Sequence, residues 1–492
     1  MSYDVVVVGG GIGGLTVAAL LSARGVKTCL LERQSQVGGC VARVEIAGLN
    51  FEPGMGVYPA WGPDEIHERV FSELPVKAPQ TQALDSAYVV RLPNRTDVRL
   101  NHDEAAFTSE ITKAFPECAA QAIAFYEATA KIANAWMRTL SRTSELQTVG
   151  WAKKIRAFAS EAASKQQLLR LKNKTALDSL RETSSRFQCF IDTQLRAFAQ
   201  TPIEQCSYLA ASVALNLPHQ RLYSIVDGPA ALAESLAESI TRSGGTVRLD
   251  SPVLRLAYDN AGHATGVDLL SGETVIAKEA IVSNMTVWDT YGKLIGLGRT
   301  PSDVKQKLGR LQGEGAYVIY AAMEAAAATR LPSERLLVAT EWQLAGSESE
   351  ISEFTLCAAE PRTATRQRAV TIQTKTEVGQ WFTFRTSEDD QEIRDQEMLD
   401  VFWGKIHHAL PELGADIEVI ETANPQTFYE QTRRKLGMVR GIPGAANLSS
   451  TNHLTSLPNV FMVGDTVSPG AWLAAVSHSA LVVANEITNK KR

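Results

Sequence analysis

The sequence predicts an α/β protein, α+β overall, in which a Rossmann-like nucleotide-binding domain is interleaved with a second domain of antiparallel sheet and helices. Three observations predict it. Tyr3 to Arg33 runs YDVVVVGGGIGGLTVAALLSARGVKTCLLER, a buried strand, a glycine turn, a helix and a second apolar strand. From Asn101 to Asp227 there is one glycine, Gly150, and three prolines among abundant Ala, Leu, Gln, Lys, Arg and Glu, a composition that favours helix throughout. Residues 313–386 hold strand-like runs at Tyr317–Ala322, Leu336–Glu341, Ala369–Thr374 and Trp381–Arg385, separated by polar turns, as an antiparallel sheet requires.

The opening element carries chemistry. Gly9-x-Gly11-x-x-Gly14 follows Val5–Val8 directly and opens the helix from Leu15 to Arg24, the context in which such a motif binds a dinucleotide. Gly9 permits the tight turn, Gly11 lets the backbone approach a pyrophosphate, and Gly14 lets the helix pack on the strand. Gly13 belongs to the same turn, whose free N–H groups face the phosphates. Glu32 ends the next strand at the offset of a ribose-binding acid, followed by Arg33. A second glycine element, Gly38-Gly39-Cys40, precedes Phe51-Glu52-Pro53-Gly54.

After the helical stretch the chain returns to alternating elements. A helix is expected at Pro229–Ser243, with proline tolerated in its first turn. Strands are expected at Thr246–Leu249, Val253–Tyr258, Gly266–Leu270 and Thr274–Ala277, and Ala280–Asn284 reads as a further buried strand. A helix near Asp395–Ala409, a strand at Asn459–Gly464 and a helix at Trp472–Thr488 complete the order. The expected division is 1–75, 222–290 and 440–492 for the nucleotide domain, and 76–221 and 291–439 for the substrate domain, with a helical insertion at about 101–221.

At 492 residues the chain is long enough for two large cores. Its net charge of −5 provides no field to gather nucleic acid, so no nucleic-acid partner is expected. The six cysteines, Cys29, Cys40, Cys118, Cys189, Cys206 and Cys357, have no C-x-x-C or zinc-type spacing; they read as reduced thiols, and no metal site is expected. The first strand begins at residue 3 and no apolar run approaches the roughly 18 residues of a spanning helix, so a cytoplasmic chain is expected.

Several motifs together resemble one family. The opening fingerprint, Gly38-Gly39, Tyr223-x-x-x-Asp227-Gly228 before a helix, the run from Gly244-Gly245-Thr246-Val247 to Asn284, and Val463-Gly464-Asp465-Thr466-x-x-Pro469-Gly470 resemble the phytoene desaturase and carotenoid isomerase group of FAD-dependent oxidoreductases. That group sits within the glutathione-reductase-like class that also holds amine oxidases. Gly38-Gly39-Cys40, Asp192-Thr-Gln-Leu195 and Arg433-Arg-Lys-Leu-Gly-Met-Val439 with Gly441-Ile-Pro443 look most like the cyanobacterial-type carotenoid 3,4-desaturases.

The resemblance implies FAD, and the single dinucleotide fingerprint leaves no second site for a nicotinamide cofactor. It implies that the backbone of Val253 holds the adenine and that Asp465 bonds the ribityl or pyrophosphate region. The amino end of the last helix, Gly470-Ala471-Trp472, would point its positive dipole end at the flavin. Glu52 would bond cofactor hydroxyls or cap a turn. Where the family has small or polar residues after Pro-Gly, this chain has Ala471-Trp472, so Trp472 is expected to narrow the entrance or stack on the substrate beside the reacting atoms.

The implied reaction is desaturation of a carotenoid or related terpenoid by hydride transfer to flavin N5, with a quinone or oxygen as electron acceptor. Isomerisation or saturation on the same fold, amine oxidation, and a non-catalytic flavin- or lipid-binding paralogue are the alternatives. Hydride loss beside a conjugated chain leaves a delocalised cation, so orientation and a dry site suffice. The histidines fit this: His219, His407, His408, His453 and His478 form no acid–base constellation and read as surface or interior residues. Trp381, Phe382 and Phe384 would line an amine-oxidase site, but their alternation fits core packing better.

Trp151 to Lys174 carries Trp151, Ile155, Phe158 and Ala162 at helical spacing, with seven basic residues against the single acid Glu161. It reads either as a helix lying in an anionic interface on the inner face of a membrane or as an ordinary amphipathic helix with a solvated basic face.

Overall fold

The computed structural model describes residues 2–146, 171–310, 313–342, 351–358, 366–382, 388–439, 453–467 and 473–489. Their elements, in chain order, open with β1 (Ser2–Val8), α1 (Ile12–Ala23), β2 (Thr28–Leu31), the hairpin β3 (Val44–Ile46) and β4 (Leu49–Phe51), β5 (Tyr58–Pro59) and α2 (Ile66–Phe71). Next come β6 (Thr81–Ala83), β7 (Ser86–Arg91) and β8 (Asp97–Asn101), then the helices α3 (Glu104–Ala114), α4 (Ala119–Leu146), α5 (Ser185–Phe198) and α6 (Tyr208–Asn216). The chain continues through β9 (Leu222–Ile225), α7 (Pro229–Arg242), β10 (Thr246–Arg248), β11 (Val253–Tyr258), β12 (Ala264–Leu269), β13 (Thr274–Ser283) and α8 (Ser302–Arg310). It ends with β14 (Gly315–Glu324), β15 (Arg335–Ala339), β16 (Glu353–Ala358), β17 (Gln367–Thr376), α9 (Glu388–Ala409), β18 (Ile417–Ala423), α10 (Pro425–Thr432), β19 (Val460–Met462) and α11 (Leu473–Asn489).

Two seven-stranded sheets organise the molecule. In the first, β10, β2, β1 and β13 run parallel, while β12 and β11 extend the other edge as an antiparallel meander. β13 is long enough to serve two partners on the edge away from β1: its first half pairs with β12, and Ile281–Ser283 pair in parallel with β19. The two separate strands expected at Thr274–Ala277 and Ala280–Asn284 are therefore one. α1 is apolar on all sides and buried from Ile12 to Ser22, as a helix covered on every face must be. It shares a core with Val5 and Val7 of β1, Leu232 and Leu236 of α7, and Ala480 and Ala484 of α11.

The second sheet has the order β18-β14-β17-β16-β15-β7-β8 and is antiparallel except for the β15–β7 pair. One face packs Ile319, Leu356, Val370 and Ile372 against Met398, Phe402 and Ile406 of α9. The expected strand at Trp381–Arg385 differs: Gly379–Trp381 is a short 3₁₀ turn, because Trp381 is drawn into this core with its ring stacked 5.9 Å from Tyr317 and its indole N–H on Thr376. Residues 383–387 lie outside the described residues. Around α3 to α6 a third core gathers Phe115, Phe187, Phe190 and Leu195 with Leu337 of β15. No helix among the described residues is long and apolar enough to cross a membrane, and the basic segment 151–174 lies almost wholly outside them.

Candidate functional site

The glycine turn joins β1 to α1 at the carboxyl edge of the parallel strands, where ligands bind in open α/β sheets. Gly9 stands at φ +101°, a conformation that side chains other than glycine rarely adopt, and donates its N–H to Leu31 O. A Cβ at Gly14 would lie 2.0 Å from Gly9 O, so only glycine allows α1 this close to the strand. Gly11 caps α1 with no side-chain hydrogen bond, and no acid occupies the first turn. The helix thus presents unsatisfied N–H groups to whatever approaches the turn, and its dipole favours an anion there.

Three further pieces close on the turn. Gly38 donates its N–H to Gly10 O at 2.8 Å and bridges Gly11 in parallel, while a Cβ at Gly39 would meet Gly11 Cα at 3.3 Å. Glu32 accepts Gly10 N–H on Oε2 at 2.6 Å and Gln34 N–H on Oε1 at 2.8 Å. A carboxylate has about four acceptor positions, so two remain for ribose hydroxyls. Beneath the turn lies Asn284, at the end of β13. Its amide is the nearest group to a Cβ at Gly11 (2.7 Å) and at Gly13 (2.6 Å), and it also borders Gly464 (3.1 Å). Sequence reading missed this role; the only sign was a polar residue closing the apolar run Ala280–Val282.

The remaining expected site residues are distributed around this cradle. Val253 opens β11, where Leu270 N–H reaches Pro252 O, and Ser251 N–H bonds Glu32 O, which brings that strand beside the acid. Arg33 directs Nη2 to the carbonyls of Glu430 and Gln431 at 2.7 Å each, fastening the end of β2 to the carboxyl end of α10. Asp465 forms a two-pronged ion pair with Arg434, at 3.2 and 2.7 Å, and Arg434 Nε bonds Met438 O. Solvent reaches Cys40, yet its thiol sits deep among protein atoms: desolvation pushes it up although the Arg434 guanidinium beside it pulls the other way. Gly470, Ala471 and Trp472 lie outside the described residues.

A cradle of backbone N–H groups at a helix amino end, walled by glycines whose Cβ atoms would collide, with a carboxylate at its rim, fits the diphosphate and ribose of a dinucleotide. Asp465 is positioned by Arg434, which ties the 433–439 segment to the end of β19.

From the cradle the β3–β4 hairpin leads to Glu52, which accepts a hydrogen bond from the Tyr58 hydroxyl. A Cβ at Gly56 would touch both Glu52 Cγ (2.9 Å) and Cys357 Sγ (3.4 Å), so this loop lies against the second sheet. Burial, reinforced by the Glu52 charge, pushes the Cys357 thiol up to about 12, and raises the Tyr58 hydroxyl well above its usual range. Both stay protonated at neutral pH. All six cysteines are free, and no group of metal-binding side chains occurs among the described residues.

Four of the eight histidines, His67, His219, His453 and His478, are held away from water and neutral at pH 7. His219 packs against Phe107 and Tyr126, and burial lowers it to about 4; burial also lowers His453 and His478. His67, at 1 % exposure, stacks on Trp61 at 4.2 Å, and burial lowers it to about 3. The folded state therefore refuses a proton that the unfolded chain takes up below about pH 6.5. The contribution is intact above that pH and falls away as acid is added, reaching ~2 kcal/mol lost by pH 5 for each of His67 and His219. Thermal melting is expected to drop between pH 7 and 5, and His67→Phe should flatten that drop; an unchanged slope in the variant would refute the assignment.

Residues 7–74 match the model of an NAD(P)-binding Rossmann-like domain. A chloroplastic prolycopene isomerase of Daucus carota is 24% identical, aligned over 99% of this chain and 80% of its own. A neurosporene-forming phytoene desaturase of Rhodobacter capsulatus is 25% identical over 59% of this chain and 54% of its own. The solved structure of wild-type putrescine oxidase bound to putrescine has the same fold, with a TM-score of 0.63 at 14% identity over 99% of both chains.

Fold and relatives together define a Rossmann-type oxidoreductase on the amine-oxidase architecture. Within that class the chain is related to prolycopene isomerases over its whole length and to phytoene desaturases over more than half of it, in agreement with the resemblance carried by its motifs.

Proposed function

We propose that this chain is an FAD-dependent desaturase of a carotenoid or related polyene. The observation that carries the reading is the cradle itself: an uncapped α1 amino end, Gly38 and Gly39 closed on Gly11, and Glu32 at the rim with acceptor positions to spare. A flavin held there supplies a two-electron hydride acceptor. The chain's own residues bind and orient. Gly9 to Gly14 hold phosphate, Glu32 the ribose, the Val253 backbone the adenine, and Asp465, fixed by Arg434, the ribityl region. The neutral interior histidines and the protonated Cys357 and Tyr58 agree with a reaction that needs no strong base. The division into a nucleotide domain (1–75, 222–290, 440–492) and a substrate domain (76–221, 291–439), with Trp472 beside the reacting carbon, belongs to the same proposal.

The fuller coverage by prolycopene isomerases favours a second reading, cis–trans isomerisation of the same substrate class. One experiment tests both. Yellow, FAD-loaded protein is incubated anaerobically with a partly saturated acyclic carotenoid and a quinone, and in parallel with a poly-cis isomer. Desaturation gives a product two hydrogens lighter, those hydrogens being transferred to the quinone; isomerisation gives a product of unchanged mass and altered absorption. Failure of both, with hydrogen peroxide released from a primary amine in a separate incubation under air, where dioxygen reoxidises the flavin, would move the assignment to amine oxidation.

A further inference from the structure

Four parallel strands end side by side at the edge of the first sheet that carries the cradle, in the order β2, β1, β13 and β19. Glu32 lies just beyond β2, the glycine turn beyond β1, and Gly464 and Asp465 beyond β19. β13 contributes Asn284, the residue directly after Ser283. Neighbouring strands stand about 4.8 Å apart, so the path from Glu32 to Asp465 runs roughly 14 Å and crosses the ends of β1 and β13. A dinucleotide with its ribose on Glu32 and its ribityl chain toward Asp465 therefore carries its diphosphate past Asn284.

The backbone around this asparagine is held from three sides. Asn284 N–H donates to Val8 O at 2.9 Å, Val463 N–H donates to Ser283 O at 2.9 Å, and Met285 N–H donates to Ser283 Oγ at 3.3 Å. Asn284 Cβ lies 3.5 Å from where a Cβ would stand on Gly9 and 3.1 Å from that position on Gly14. The amide reaches further: Nδ2 is 2.7 Å from the Cβ position of Gly11, and Oδ1 is 2.6 and 3.1 Å from those of Gly13 and Gly464. Two turns, one after β1 and one after β19, thus leave the room of absent side chains around one asparagine. Gly11 is the glycine whose missing side chain lets the backbone approach a pyrophosphate, so the space its Cβ would take belongs to the ligand's side of the turn. Asn284 stands there half-buried, and its amide bonds none of the described residues. Such an amide costs stability unless a partner accepts its hydrogens.

We propose that Asn284, on the reading that the cradle holds FAD, donates Nδ2–H to the cofactor's diphosphate and is a further positioning residue outside the glycine fingerprint. It supplies a donor without a charge of its own. A carboxylate of the same shape in that place would instead repel the phosphates across hydrogen-bond distance.

The test measures dissociation constants of FAD and ADP on the full-length apoprotein, FAD by flavin fluorescence and ADP by competition. ADP ends at the diphosphate, so Asn284→Ala should weaken both ligands by the same factor, about tenfold, the size of one hydrogen bond to a charged group. Asn284→Asp keeps the shape, so its apoprotein should melt with wild type, yet both ligands should bind about a hundredfold more weakly at pH 8. The ratio of its dissociation constants to those of wild type should shrink toward pH 5, because the introduced carboxyl takes up a proton beside the phosphates and becomes a donor. A packing role alone would give no such pH dependence. Unchanged affinities in Asn284→Ala, a loss confined to FAD, or a pH-independent loss in Asn284→Asp would overturn the inference and leave the FAD reading standing; should Asn284→Asp not fold, the alanine variant decides alone. Wild-type apoprotein that binds neither FAD nor ADP would overturn the FAD reading itself.

Discussion

Gly14→Ala is expected to give a protein that melts far below wild type and carries no flavin. A methyl group there would lie 2.0 Å from Gly9 O and 3.1 Å from Asn284 Cβ, and the nearer obstacle is backbone, which cannot rotate away. β1 and α1 would have to separate, although α1 is buried along nearly its whole length. Overpacking of this severity costs roughly 3 kcal/mol or more. Movement of α1 also carries its amino-terminal N–H groups away from the phosphates, so binding and stability fall together. Gly11→Ala is a milder case, because its obstacle is the Asn284 amide at 2.7 Å. Asn284→Ala should restore part of the Gly11→Ala loss, a departure from additivity that a double-mutant cycle measures. Thermal melts and the ratio of flavin to protein absorbance read both effects. Wild-type melting and full flavin content in Gly14→Ala would show that the turn is not built as described.

The first sheet and its glycine turn were legible because their constraints are local. A turn, a helix amino end and a strand-terminal acid lie within some thirty residues, and each demands a particular residue type. The partner beneath that turn was not legible, since Asn284 reaches it from hundreds of residues away and its type is not diagnostic alone. The same holds for the second sheet: strand-like runs such as Ala369–Thr374 announced themselves by alternation, but nothing in them tells which of the two faces, that of Val370 or that of Thr371, packs against α9. Trp381 was misread as strand because aromatic alternation fits a strand and a buried turn equally; tertiary packing on Tyr317 decides. Asp465 was read as a cofactor ligand from its place after an apolar strand, whereas its guanidinium partner belongs to a segment with no periodic pattern.

That partner carries the second large effect. Arg434→Met should destabilise the protein by about 2–3 kcal/mol, somewhat less than breaking one side of a fully buried ion pair costs, because the two side chains retain 15 % and 22 % exposure. The loss arises from Asp465 being left without its two-pronged donor, and from Met438 O losing its bond to Nε. Removing both partners together, as Arg434→Met/Asp465→Leu, should recover most of the stability, since an apolar pair leaves no uncompensated charge. Flavin retention should behave differently. Asp465 held by Arg434 is the proposed ribityl contact, so the double variant, stable again, should still release FAD on gel filtration, while an Arg434→Lys variant should retain it in part. Stability restored together with full flavin retention in the double variant would mean that the ion pair fastens residues 433–439 to the nucleotide domain and that Asp465 does not touch the cofactor.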